Sequence, residues 1–178
     1  MKILDFPEFK QIYNYDCGAT ALLSVLTYFG IEIFEDEIIK IAGTAKHIGT
    51  PVPGMLKVLK EKRLRAELKE LTIDDLIKSI DENKPVILRI QAWSLKKEDE
   101  TEWKKDWKHG HYVVAIGYDD EKIYFEDPWC SERTYLKFDE LKDRWHDIDI
   151  DGKKYVNCGI VIESQRKTGE LDKPIHME

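Results

Sequence analysis

The hydrophobic pattern of this chain changes period once, at Pro85, and that change limits the fold more than any other feature. Before it, apolar residues recur at three- and four-residue spacing; after it they come in short runs bounded by turn residues. Cys17 to Phe29 sets Ala21, Leu22, Val25, Leu26 and Phe29 on one helical face, with Asp16 placed as an N-cap and Gly30 as a stop. The segments 35–43, 53–63 and 72–83 predict three more helices. Beyond Pro85 the runs 86–93, 111–118, 122–126, 133–138 and 155–162 predict the strands of an antiparallel sheet. Helices first and strands afterwards give an α+β fold, because alternating units would imply a parallel sheet. A length of 178 residues with 42% hydrophobic content suits one core. The expected organisation is one domain over 1–163, with a charged inserted loop at 94–110 and a polar tail at 164–178.

A formal net charge of -7 arises from intermixed Lys and Glu, which disfavours nucleic acid or an anionic membrane as the partner. The N-terminus has no apolar signal region, and no stretch approaches the ~18 apolar residues of a membrane span. A cytoplasmic location is the expectation. Cys17, Cys130 and Cys158 show neither disulfide nor metal-ligand spacing, so no metal and no cofactor is expected and at least one thiol is free for chemistry.

Cys17 stands where a polar loop meets an apolar helix, so its thiol falls in a first turn, where the helix dipole favours thiolate. The backbone N–H groups there have no helical partner and can receive an oxyanion. Gln11, six residues upstream, offers a second donor through its side-chain amide. Taken singly, Cys17 reads as a packed core thiol and Gln11 as a surface amide; what changes the weighting is a base. His111, opening the strand after His109-Gly110, is the better-placed imidazole, since His109 lies among the charges of the loop and is expected to be held less rigidly. A third group must orient that ring. If Asp119-Asp120-Glu121 forms a three-residue loop, Tyr118 faces Lys122 and Val113 faces Asp127, making His111 and Asp127 diagonal neighbours on one face. A two-residue loop shifts the parity and puts Glu126 there instead. Periodicity leaves both open.

Gln11, then Asp16-Cys17-Gly18-Ala19 opening a helix, then His111-Tyr112-Val113-Val114 with Gly117-Tyr118, then Asp127-Pro128, together resemble the C39 peptidases, papain-like cysteine proteases that process bacteriocins. The resemblance covers roughly residues 7–162. It implies a papain-like fold with the site in the cleft between the helical half and the sheet. It also implies Cys17 as nucleophile, His111 as general base, Asp127 as its orienting partner and Gln11 as oxyanion donor, with a peptide or protein substrate cut after small residues such as a Gly-Gly leader. Family members known for this reaction form part of an exporter, whereas this sequence carries no transporter domain, so a separate exporter or peptide precursor is the implied partner. An acyl or amide transferase using the same triad, and a peptide-binding module that does not cut, are the competing readings. Loop 94–110 is longer than the family leads one to expect, and its Trp103 and Trp107 are candidate substrate-binding residues.

Overall fold

In the computed structural model, residues 1–94 and 102–164 are described. Residues 95–101 of the inserted loop, and all of the expected tail except Ser164, lie outside them.

Helix α1 (Cys17–Tyr28) is the centre of the molecule. The expected face is buried, and so are Ala19, Thr20 and Ser24, so the helix is enclosed on nearly every side. Helices α2 (Glu35–Ala42) and α3 (Val52–Glu61) pack beside it. Gly43, in the left-handed region at φ 70°, stops α2, and Pro51 with Pro53 pre-sets the start of α3. Helix α4 (Ile73–Asp81) opens on a capping box: Thr72 Oγ1 accepts the Asp75 N–H while Asp75 Oδ2 accepts the Thr72 N–H.

The strands are β1 (Lys2–Ile3), β2 (Ala66–Glu70), β3 (Val86–Gln91), β4 (Gly110–Tyr118), β5 (Lys122–Glu126), β6 (Thr134–Lys137), β7 (His146–Ile148), β8 (Lys154–Val156) and β9 (Cys158–Ile162). Seven form one antiparallel sheet in the order β2-β9-β3-β4-β5-β6, with β1 added to β4 just past the point where β3 begins. Helices α1 to α3 cover the face carrying Tyr112, Val114 and Ile116. The opposite face, with Ile90, Val113 and Phe125, is covered by Leu76 of α4 and by Leu141 and Trp145 in and after helix α5 (Phe138–Arg144). The fold is therefore α+β, with helices packed on an antiparallel sheet.

The structure adds β1 and β2 before Pro85 and α5 and β7 after it, none of them predicted from the sequence, and three further details differ from that expectation. The run 155–162 is two strands, because Asn157 turns into the left-handed region at φ 50° and hands β8 to β7 in a separate two-stranded sheet. Asp16 occupies the cap position of α1 without capping it, since both its carboxylate oxygens accept the Tyr13 N–H at 3.1 Å. The β4–β5 turn holds two residues, Asp120 and Glu121, so Tyr118 faces Ile123 rather than Lys122. A bulge then restores the parity: Gly117 pairs Tyr124 but Ala115 pairs Phe125, leaving Ile116 as the extra residue. Continued one step past Val114 opposite Glu126, this register sets Asp127 across from Val113.

Candidate active site

Cys17 is the first residue of α1, half-buried, with its helix start pressed onto the sheet through Gly18. A Cβ at position 18 would lie 2.6 Å from Thr50 Cβ and 2.9 Å from Tyr112 Cδ2, so no larger residue fits at this approach. The Tyr112 hydroxyl donates to the Thr50 carbonyl at 2.9 Å and fixes that wall. Alternation along β4 therefore sends Tyr112 to one face, where it braces the start of α1, and the adjacent His111 to the other.

His111 is buried, and its Nε2 lies 2.7 Å from Asp127 Oδ1. Cys17 is close enough to this ring to act on its charge, and Nδ1 is the ring nitrogen that Asp127 does not engage. Burial opposes the charged imidazole, but Asp127 and Cys17 outweigh it and push its pKa up to about 9. The ring is then an imidazolium at neutral pH. Asp127 is buried too, which favours its neutral form, yet its donors outweigh that effect and hold its carboxyl below the usual range. Four groups donate to the carboxylate: the His111 ring and the Trp129 N–H (2.9 Å) to Oδ1, the Trp93 indole N–H (3.2 Å) and the Thr134 hydroxyl (3.1 Å) to Oδ2.

Glu126 points elsewhere. Its Oε1 accepts the Phe9 N–H at 2.8 Å and the Ser24 hydroxyl at 3.4 Å, and its Oε2 pairs with Arg133, which also donates to the Phe6 carbonyl. It fastens the N-terminal segment to the sheet. The same segment carries Gln11, whose backbone N–H donates to the Pro128 carbonyl at 2.7 Å and whose Nε2 donates to the Tyr13 carbonyl at 2.5 Å. One N–H of that amide is left for another acceptor. Gln11 is thus tied both to the Asp127-Pro128 turn and, through Tyr13, to Asp16 beside Cys17.

His109, the rival imidazole, turns its ring toward its own loop: its ring Nδ1 meets Asp106 Oδ2 at 2.5 Å and its backbone N–H donates to Gln91 Oε1 at 2.9 Å. The two loop tryptophans go to different places. Trp103 lies under the Arg144 guanidinium, 4.0 Å from Cζ, and lines a groove of about 530 Å³ together with Trp93, Phe125, Asp127 and Tyr135. Trp107 packs on the His146 ring at 4.5 Å and under Lys154 at 4.6 Å. The thiols of Cys130 and Cys158 donate to the nearby carbonyls of Glu132 and Val156, and burial pushes the Cys130 thiol pKa up. Trp93, Trp129 and Thr134 were not anticipated as partners of Asp127. Trp93 carries no sequence signal for this role, because its backbone leaves the strand at φ 58°.

Residues 3–150 match the model of the Peptidase_C39 like family. An uncharacterized protein of Methanothermobacter thermautotrophicus is 35% identical over 127 residues, covering 70% of this chain and 72% of its own length. The peptidase domain of Streptococcus ComA, a bifunctional ABC transporter involved in a quorum-sensing pathway, superimposes with a TM-score of 0.62 at 19% identity, over 88% of this chain and 97% of that one. A double-glycine-motif protease from an AMS/PCAT transporter, solved in complex with the leader peptide, gives a TM-score of 0.62 at 17% identity, over 91% and 94%. At these identities the two structures speak for the fold. No helix among the described residues is long and apolar enough to cross a membrane.

Proposed function

The chain belongs to the Peptidase_C39-like family, and on that premise we propose that it is a cysteine peptidase working through Cys17, His111 and Asp127. One observation carries the reading: buried His111 stands between Cys17 and a carboxylate with four donors, so a charged imidazole is held beside the thiol it would activate. In this reading Cys17 Sγ attacks the scissile carbonyl carbon. The oxyanion is received by the Cys17 backbone N–H and the remaining N–H of the Gln11 amide. His111 gives its proton to the leaving amine, the C–N bond breaks, and an acyl-thioester remains on Cys17. Water, losing a proton to His111, then attacks the acyl carbon, the C–S bond breaks, and the acid leaves with Cys17 released as thiolate beside the protonated His111. Asp127 fixes which ring nitrogen faces the thiol and stabilises the imidazolium throughout.

The substrate in this proposal is a peptide with small residues before the cut, such as a Gly-Gly leader. The leader peptide bound to the double-glycine protease of the same fold supports that choice. A peptide precursor and a separate exporter are the proposed partners, and the cytoplasm the proposed location. Residues 1–163 form the catalytic domain in this proposal, and Trp103, which lines the same groove as Asp127, is the better placed of the two loop tryptophans to touch substrate.

The test is iodoacetamide labelling at mildly acidic pH, read by peptide mapping, followed by cleavage of a double-glycine peptide. Cys17 is expected to label before Cys130 and Cys158, and Cys17→Ser to abolish cleavage while leaving thermal unfolding nearly unchanged. Earlier labelling of Cys130 or Cys158 overturns the assignment.

A further inference from the structure

Strand β3 ends at Gln91, and Ala92 still follows its path, donating its N–H to the His109 carbonyl at 2.9 Å. Trp93 then departs into the left-handed region at φ 58°, a conformation that a bulky residue rarely adopts. The residue is 44% exposed, so it is not a core position that would demand this turn. What the departure does is aim the ring. The indole N–H, a donor with no acceptor character and one fixed direction, meets Asp127 Oδ2 at 3.2 Å.

Asp127 needs such an aim. Its Oδ1 serves His111 and the Trp129 N–H, so the plane of the carboxylate decides whether Oδ1 stays on line with His111 Nε2. On Oδ2, the Thr134 hydroxyl can rotate about its C–O bond, whereas the indole cannot turn without moving the ring. The Trp129 ring stands 6.2 Å from the Trp93 ring, tilted by 30°, so two half-exposed indoles meet beside this carboxylate. Backbone held in a sparsely populated conformation persists where surrounding contacts demand it and is often tied to function.

We propose that Trp93 is a positioning residue that acts through Asp127: its indole N–H fixes the carboxylate plane and so keeps Oδ1 aimed at His111. The proposal rests on the active-site reading above. A merely structural Trp93 would instead join the 92–94 and 127–129 segments without bearing on the state of His111.

The experiment is the rate of Cys17 alkylation by iodoacetamide at pH 5.5 and at pH 10, which requires no substrate. Trp93→Phe keeps a ring and the same backbone demand but removes the donor. It is expected to slow alkylation at pH 5.5 by about tenfold, the size of one hydrogen bond to a charged acceptor, and to leave the pH 10 rate unchanged. In an Asp127→Asn background the same substitution is expected to change the rate by less than about twofold, because the group it acts through is altered. Should Trp93→Phe fold poorly on thermal unfolding, the benzothiophene analogue of tryptophan at position 93 replaces only the N–H by sulfur and is read the same way. A wild-type Cys17 that does not label at pH 5.5 sinks the active-site reading itself. A wild type that labels normally beside a Trp93→Phe variant that matches it at pH 5.5 overturns the role of Trp93 alone. An equal tenfold loss in the Asp127→Asn background overturns action through Asp127.

Discussion

Replacing Asp127 by Asn separates the charge of the carboxylate from its shape. The amide has one oxygen, and its natural place is that of Oδ1, where it can still accept from His111 and the Trp129 N–H. The new NH2 then falls where Oδ2 was, facing the Trp93 indole N–H, which cannot accept, and the Thr134 hydroxyl, which can turn to do so. The ring contact survives while the negative charge is lost. A hydrogen bond to a charged group contributes about 1.5–3 kcal/mol, which corresponds to roughly one to two pKa units for the imidazole. His111, at about 9 in the native chain, is therefore expected to titrate near 7 to 8 in the variant. The sign also fixes a stability trend. Because the folded pKa lies above the ordinary 6.5, the stability contributed by His111 is fully present below pH 6.5 and is lost as pH rises through about 9. In Asp127→Asn that loss is complete at a lower pH. The assay is NMR titration of the His111 ring proton, with denaturant melts at pH 6 and pH 9.5. A midpoint that stays near 9 in Asp127→Asn would refute the claim that Asp127 holds the imidazolium.

Two further substitutions probe neighbouring positions. Glu126→Gln removes the charge that meets Phe9, Ser24 and Arg133; it is expected to cost about 1–3 kcal/mol and lower Tm by several degrees while the pH profile of Cys17 alkylation stays as in the native chain, and an altered profile would count against the separation of the two acids. Gly18→Ala forces a Cβ to within 2.6 Å of Thr50 and 2.9 Å of Tyr112; it is expected to cost about 1–3 kcal/mol and, by shifting the first turn of α1, to slow Cys17 alkylation well beyond what the melt accounts for, so native-like alkylation would argue that the start of the helix is not set by this contact.

The elements that were legible in the sequence are those whose signal is local. Helix α1 shows a long apolar period, α2 a Gly stop, and α4 an N-cap Thr with Asp three residues on, so each could be placed before its surroundings were known. Helix α5 has seven residues and few apolar ones, and only its position over Phe125 and Ile90 makes it part of the core. Strand β2 is half-exposed and carries charges among its apolar residues, so pairing with β9, almost a hundred residues away, supplies what its composition does not. At the site, Cys17 and His111 are marked by where they open their elements. The donors on Oδ2 of Asp127 are not, because a tryptophan in the left-handed region and a threonine on β6 meet only after the sheet has closed. Periodicity left the partner of His111 as a choice between two adjacent acids, which only the family resemblance resolved to Asp127, because the register depends on a single extra residue in the middle of β4.

That extra residue, Ile116, works like a reading-frame correction. The tight turn at Asp120-Glu121 advances β5 by one position relative to β4, and the bulge subtracts that position again before the ladder reaches Glu126. Either irregularity alone would swap the directions in which Glu126 and Asp127 point, turning the His111 partner outward and the Arg133 partner inward. Their carbonyl and amide partners are also separate: the turn is closed by Asp119 and Lys122, while the bulged carbonyl of Ile116 is taken by the Leu4 N–H on the other side of the strand. The directions of Glu126 and Asp127 are therefore kept only when a one-residue shift of register at the turn is matched by one at the bulge. One residue gained in the turn is neutral to the site when one is lost at the bulge, so the register at the turn bears on the site although the turn lies at the end of the strands away from His111.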